Sequence, residues 1–374
     1  MDSKYFGKLS IIGMRGCEKF VEMVDYYLHQ NRPGEEDVNY IVPADCIRFT
    51  SGEGKGMLHT SMRGHDVYII SDCFNYGETY TMYGVEHPMS PDDHFADLKR
   101  VIGAISGKAK RISVIMPMLY EGRQHKRKAR ESLDCAMALQ ELVNMGVTNI
   151  ITFDAHDDRI HNAIPLAGFD SIRPSYQMIK AFVKREKDVD VLHGNTMVIA
   201  PDEGALERCM YYSSVLNIDL GMFYKRRDYT TVVNGKNPIV AHEYLGNPVE
   251  GKSVIVVDDM IASGDSVFDL CRQLKDKGAA KIFVFATFGL FTAGLAKFDK
   301  YYAEGMFDRI YTTNLVYRTP ELLQREWYCE VNMSKYVYLI IDTINRDEST
   351  SDLLNPSDRI HALMARVKAG EFDK

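Results

Sequence analysis

Long apolar runs are missing from this 374-residue chain. None approaches the roughly 20 residues that a bilayer-crossing helix needs, so no membrane span is expected. Positive charge is in deficit too: 45 lysines and arginines face 52 acids, a net charge of −7. That balance gives no general attraction to nucleic acid or anionic lipid. Cysteine is present but unpatterned. Cys17, Cys46, Cys73, Cys135, Cys209, Cys271 and Cys329 form no CxxC pair, and no histidine cluster has zinc-finger spacing. An odd, scattered set reads as buried thiols in a reducing compartment. The first residues lack the basic start, apolar stretch and cleavage site of a signal peptide. A cytoplasmic location with neither nucleic acid nor membrane as partner is expected.

What is present is enough apolar material for large cores, 45% of residues, in a chain about twice the usual single-domain length. Short runs of branched apolar residues recur at 111–118, 149–153, 195–200, 253–257 and 281–287. Their continuous apolarity predicts strands covered on both faces, as in parallel sheets. Residues 133–145 and 268–277 have helical spacing and end near Gly146 and Gly278, with a strand close behind. This alternation predicts an α/β chain of βαβ units. Proline and glycine gather at 165–174, which places a domain boundary there. Residues 229–248 and the tail from Asp347, polar until Arg359, read as mobile or exposed.

The most informative segment runs from Val254 to Ser266. An apolar strand leads into Asp258 and Asp259, then through Ala262, Ser263 and Gly264 to Asp265, Ser266 and a helix. In open α/β sheets ligands gather beyond the carboxyl ends of strands. A turn entering a helix offers backbone N–H groups to a phosphate, and paired acids accept hydrogen bonds from sugar hydroxyls. Together they describe a site for a phosphorylated ribose.

This segment resembles the phosphoribosyltransferase-type signature, and further segments resemble one branch of that superfamily, the ribose-phosphate pyrophosphokinases (PRPP synthetases). The likeness runs in consistent order from Arg48 to the C-terminal region. Arg48-Phe49-Thr-Ser51-Gly-Glu53 is similar to the family's RF-x-D-G-E segment, and Ser61-Met-Arg63-Gly-His-Asp66 to its RG-x-D strand entry. Residues 118–128 (MLYEGRQHKRK) are similar to its YARQD-plus-basic segment, and Phe153-Asp154-Ala-His156 to its DLH. Pro201-Asp202-Glu-Gly204-Ala205 matches PDxGG, and Lys225-Arg226-Arg227 matches KRR.

The resemblance implies two tandem type I phosphoribosyltransferase-like domains, each a mostly parallel sheet flanked by helices. The N-terminal one covers 1–170, completed by 335–374, and the C-terminal one 171–334. It implies transfer of the β,γ-pyrophosphoryl group of ATP to the anomeric hydroxyl of ribose 5-phosphate, with Mg2+ as cofactor. Such chemistry rests on positioning and electrostatic stabilisation. Lys225 and Arg227 are then the charge-stabilising pair, on one side of the chain if the backbone is extended. Arg123 and Gln124 contact ATP, rimmed by Lys126, Arg127, Lys128 and Arg130. Phe49, Ser51 and Glu53 reach the adenine from a neighbouring subunit, so a homo-oligomer is implied, a hexamer built from dimers. His156 and Asp202 stand at the Mg2+ positions. Asp258, Asp259, Ala262, Ser263, Gly264, Asp265 and Ser266 hold ribose 5-phosphate. Ser61, Arg63, Ser349 and Ser351 resemble an allosteric phosphate or ADP site.

The chain departs from the pattern at several points. Ala262, Ser263, Gly264, Asp265 and Ser266 replace the family's Asp-Thr-Gly-Gly-Thr, and Asp265 brings a carboxylate that repels phosphate unless it turns away, for example as a helix cap. Ser51 replaces a nucleotide-facing acid, His125 an acid beside Gln124, and Ala205 a glycine. Extra residues fall at 76–97 and 301–327. Two other readings remain: a phosphoribosyltransferase that consumes PRPP, and a non-catalytic regulatory relative.

Overall fold

The computed structural model describes residues 5–127, 129–227 and 239–371, and for residues 225–227 and 239–242 the backbone alone. Two compact units emerge. One takes the described chain through Pro174 with Asn314–Thr319 and Asn332–Asn355. The other takes Ser175–Thr313, Pro320–Val331 and the described chain from Pro356.

In the first unit the strands are β1 (Lys8–Gly13), β2 (Ala44–Arg48), β3 (Gly54–Leu58), β4 (His65–Ile70), β5 (Thr79–Met82), β6 (Val85–Pro88), β7 (Arg111–Ile115), β8 (Asn149–Phe153) and β9 (Gly168–Ile172). Five of them, in the order β1-β4-β7-β8-β9, make a wholly parallel sheet. The pairs β2–β3 and β5–β6 are separate antiparallel hairpins. Helices α1 (Glu18–Asn31), α2 (Pro91–Ile105) and α3 (Asp134–Asn144) belong to this unit. A capping box between Ser90 and Asp93, with Pro91 at the first turn, starts α2. Its buried face, Phe95, Leu98, Val101, Ile102 and Ile105, joins the core with Val67, Ile69, Val114 and Ile150.

Buried ions tie later chain to this sheet. Asp66 on β4 is fully buried and accepts hydrogen bonds from Arg111 Nε and Nη2 at 2.7 and 2.6 Å, from the Tyr68 hydroxyl at 3.0 Å and from Asn345 Nδ2 at 2.8 Å. Arg32, 1% exposed, donates to Asp342 Oδ1 at 2.7 Å and Asn345 Oδ1 at 2.9 Å. The helix Ser334–Asn345 is thereby fastened against α1. Beyond β4, the Asp72 carboxylate accepts the backbone N–H groups of Phe74 and Tyr317 at 2.9 and 2.7 Å, and burial pushes its pKa up to about 6.

The second unit holds β10 (Thr196–Ala200), β11 (Asp219–Arg227), β12 (Ile239–Leu245), β13 (Ser253–Ile261), β14 (Lys281–Gly289), β15 (Arg309–Thr313) and β16 (Tyr328–Val331). The sheet order is β12-β11-β10-β13-β14-β15-β16, and every pairing is parallel except β11–β12. Helices α4 (Ser175–Arg185), α5 (Leu206–Leu216), α6 (Asp265–Asp276) and α7 (Ala296–Ala303) belong here. Trp327 is 1% exposed and stacks on Phe298 at 5.6 Å, with its indole N–H on Asp299 at 2.8 Å. The extra segment at 301–327 thus contributes an aromatic core. The predicted α/β architecture of mostly parallel sheets is what the chain forms.

Three local expectations need correction. Ser357–Lys368 is a helix that buries Ile360 and Leu363. That helix packs on α4 and α5 in the second unit, while Asn332–Asn355 belongs to the first, so only part of the segment 335–374 joins the unit it was expected to complete. The run at 111–118 leaves the regular strand after Ile115, where Met116 N–H still donates to Ile151 O and Pro117 O accepts Phe153 N–H, both at 2.9 Å, but Pro117 has no N–H to continue the ladder. Within the stretch expected to be mobile, Ile239–Leu245 is a strand paired with β11; residues 228–238 lie outside the described chain. All seven cysteines are buried and free. No helix among the described residues is long and apolar enough to cross a membrane.

Candidate active site

In the second unit, Asp258 and Asp259 do not follow the strand, as expected, but lie inside it. β13 runs on to Ile261 because β14 stays alongside, pairing Met260 with Phe288 and Ile261 with Gly289. The acids therefore sit on a central strand between β10 and β14, near its carboxyl end. Burial first, then the charge of Asp259, pushes Asp258 well above the usual carboxylate range, while Arg208 pulls it back. Asp202 adds a further upward push, so the ends of β10 and β13 bring Asp202, Asp258, Asp259 and Arg208 together electrostatically. Asp202 also caps the turn after β10, accepting Gly204 N–H at 3.0 Å and Ala205 N–H at 3.3 Å.

A raised acid pKa has a defined sign. Its stabilising effect is fully present below the unfolded value of about 3.9 and is lost as pH rises through the higher folded value. Asp258→Asn should therefore raise Tm at pH 9 relative to wild type by more than it does at pH 5.5, measured without metal or sugar. An equal change at both pH values would remove the charge argument.

After Ile261 the chain turns through residues 262–264 into α6. Gly264 has φ +90°, and a Cβ there would lie 2.3 Å from the Phe298 ring, so both backbone and packing require glycine. No side chain caps α6, and the first-turn amides of a helix have no intrahelical partners. Asp265 N–H already lies 3.4 Å from the Ser263 hydroxyl oxygen, which leaves the amides after it, Ser266 N–H first, to meet an anion. Asp265 was expected to be awkward or to act as a cap. It is the first helical residue and is turned aside: Oδ2 accepts from the Ser263 hydroxyl at 3.0 Å and Oδ1 from Lys297 Nζ at 2.5 Å. Lys297, before Ser263, holds its pKa down. Gly264→Ala should destabilise the protein and weaken ribose 5-phosphate binding at least tenfold, by calorimetry; unchanged binding would show that the turn does not hold the phosphate.

Lys225 and Arg227 fall at the end of β11, Lys225 opposite His242 and Arg227 opposite Ile239. Their side chains lie outside the described atoms. A register shift between Arg226 and Arg227 interrupts the strict alternation from which a shared side was expected.

In the first unit, β8 is followed by Asp154, buried with φ +44°, which bends the chain sharply so that His156 emerges exposed just past the strand. The His156 and His125 rings lie 5.3 Å apart, and His125 Nε2 is 3.3 Å from Asp157. Burial lowers the His125 pKa, and its Nδ1 is buried without a hydrogen-bond partner. Arg159, first of all, holds Asp157 down to about 2. Arg123 and Gln124 are exposed in the turn just before His125, as are Lys126 and Arg127; Lys128 lies outside the described residues.

The β2–β3 hairpin presents Phe49, Ser51 and Glu53, all exposed, at its tip. Phe49 N–H donates to Glu53 O at 2.8 Å, and the Ser51 hydroxyl to Glu53 Oε2 at 2.8 Å. Ser61 accepts Arg63 N–H at 3.4 Å, and Ser349 donates to Ser351 at 3.0 Å. No hydrogen bond joins these two segments among the described residues.

Two family models match in tandem: the N-terminal domain of ribose phosphate pyrophosphokinase over residues 9–146 and the phosphoribosyl transferase domain over 171–316. The chain belongs to the ribose-phosphate pyrophosphokinase family. A ribose-phosphate pyrophosphokinase of Vibrio parahaemolyticus is 26% identical over 317 residues, covering 83% of this chain and 91% of that protein. One from Ureaplasma parvum is 29% identical over 202 residues, 54% of this chain and 58% of that one. Among solved structures, phosphoribosylpyrophosphate synthetase from Mycobacterium smegmatis superposes with a TM-score of 0.73 at 20% identity, covering 91% of this chain and 99% of that one; this likeness speaks to the fold.

Two features of this family member escaped the sequence. Arg208 carried no motif signal beyond its place in the first turn of α5, and only the pairing of β10 with β13 brings it to Asp258. Lys297, which neutralises Asp265, comes from α7, 32 residues away.

Proposed function

We infer that this chain is a ribose-phosphate pyrophosphokinase, moving the β,γ-pyrophosphoryl group of ATP to the anomeric hydroxyl of ribose 5-phosphate to give PRPP and AMP. The observation that carries the reading is the acid pair on β13 followed by the uncapped start of α6. Amides at that helix start hold the 5-phosphate, while Asp258 and Asp259 accept hydrogen bonds from the ribose diol. The anomeric oxygen is thereby fixed for in-line attack on the β-phosphorus, with AMP as leaving group. Lys225 and Arg227 stabilise the charge that spreads over the transferred group.

Arg123 and Gln124 contact the ATP phosphates, and Phe49, Ser51 and Glu53 the adenine. The reading includes a homo-oligomer, a hexamer of dimers, in which that hairpin serves a neighbouring subunit, and a cytoplasmic location. The donor set fits Mg2+: Asp202 offers hard carboxylate oxygen at a strand end, and this ion usually takes one or two carboxylates plus substrate phosphates. Among the described residues no group of three acids, histidines or cysteines forms a cage of its own. Asp202 in the second unit and His156 in the first are each a candidate contact for Mg2+, His156 through bound water, and the ion would neutralise the phosphates. The allosteric role of Ser61, Arg63, Ser349 and Ser351 predicts activation by phosphate and non-competitive inhibition by ADP.

The test is incubation with ATP, Mg2+ and ribose 5-phosphate and no nucleobase. AMP and PRPP should appear in equal amounts. Turnover that requires a base and starts from PRPP would assign a phosphoribosyltransferase instead, and absence of both reactions a regulatory protein.

A further inference from the structure

The β5–β6 hairpin lies in the extra segment at 76–97 and has no part in the reaction described above. Its two-residue loop is Tyr83-Gly84, with φ +49° and +77°. A tight hairpin loop with both residues at positive φ strongly prefers Asn-Gly, and a bulky aromatic in that region is an outlier with a steric cost. Nor is the ring repaid by burial, since Tyr83 is 80% exposed.

The hairpin is docked on the turn assigned to the nucleobase. Tyr83 N–H donates to Thr50 O at 2.9 Å, and a Cβ on Gly52 would lie 2.5 Å from Met82 Sδ. Behind the turn, Arg48 donates to Gly52 O at 3.3 Å and lies 4.9 Å over the Tyr80 ring. Phe49, half exposed, therefore has a second exposed aromatic on the adjoining hairpin tip. Ser51, meanwhile, supplies no acid to the base.

We propose that Tyr83 is a nucleobase-contacting residue, its ring completing with Phe49 an aromatic platform for the purine of the pyrophosphoryl donor. This rests on the nucleotide reading of residues 49–53. Aromatic stacking on a base is sequence-tolerant and replaces binding that a hydrogen-bonding acid would otherwise supply.

Tyr83→Asn separates the roles, because Asn-Gly suits the turn better than Tyr-Gly. The variant should melt at or above the wild-type temperature. Its calorimetric Kd and its KM for ATP should both rise about tenfold, with kcat and the KM for ribose 5-phosphate unchanged. Tyr83→Phe should retain wild-type affinity, and Tyr83→Gly, also compatible with the turn, should repeat the loss. An unchanged Kd for ATP in Tyr83→Asn or Tyr83→Gly overturns the proposal. A wild type that binds ATP but releases no AMP overturns the pyrophosphokinase reading instead, and the Kd comparison still decides Tyr83.

Discussion

Lys225→Ala should lower kcat by about 10²-fold or more while sparing ribose 5-phosphate affinity, the signature of a cation that acts on developing charge. The backbone gives the reason for placing that role here. β11 is held on one side by β10 and on the other, from Met222 to Arg227, by antiparallel β12. Its last residues are thus delivered from an ordered sheet, next to the strand that leads to Asp202. On the proposed reading the sugar's anchors are on β13 and α6, so a lysine at the end of β11 should have no share in ground-state sugar binding. Steady-state kinetics with calorimetry in parallel checks this. Equal losses in turnover and sugar affinity would assign Lys225 to substrate binding.

Asp66→Ala should destabilise the first unit by about 3–5 kcal/mol, the usual cost of leaving a buried charge without its partner. In a unit of this size that is a fall in Tm of roughly 10 °C. Asp66 is fully buried and accepts from both Arg111 nitrogens, from Tyr68 and from Asn345. Its loss would take the buried carboxylate from the largely enclosed Arg111 guanidinium, leaving it the Ile344 carbonyl and the exposed Asp347, and would remove one of the ties on the helix Ser334–Asn345. Denaturant melts of wild type and variant measure it. A loss below about 1 kcal/mol would place the pair among the surface ion pairs that contribute little.

The same residue shows what the sequence could and could not reveal. Asp66 fell in a recognisable motif, but apart from Tyr68 its partners lie 45 and 279 residues away, so only the fold discloses that it fastens structure. The parallel strands were legible because burial on both faces leaves continuous apolar runs. Asp258 and Asp259 were legible as candidate site residues, yet their place inside β13 depends on how far β14 runs beside it. Asp265 looked repulsive from sequence alone. Lys297 and Ser263 resolve it, and neither contact has a local signature. The helices Ser334–Asn345 and Ser357–Lys368 were missed because they hold to separate units through long-range packing.

The most direct measurement follows the phosphorus atoms. With ATP labelled at the β-position, ribose 5-phosphate and Mg2+, the label should pass wholly into the sugar product and leave unlabelled AMP. Label recovered in ADP, with a single phosphoryl group moved or hydrolysed, would contradict pyrophosphoryl transfer.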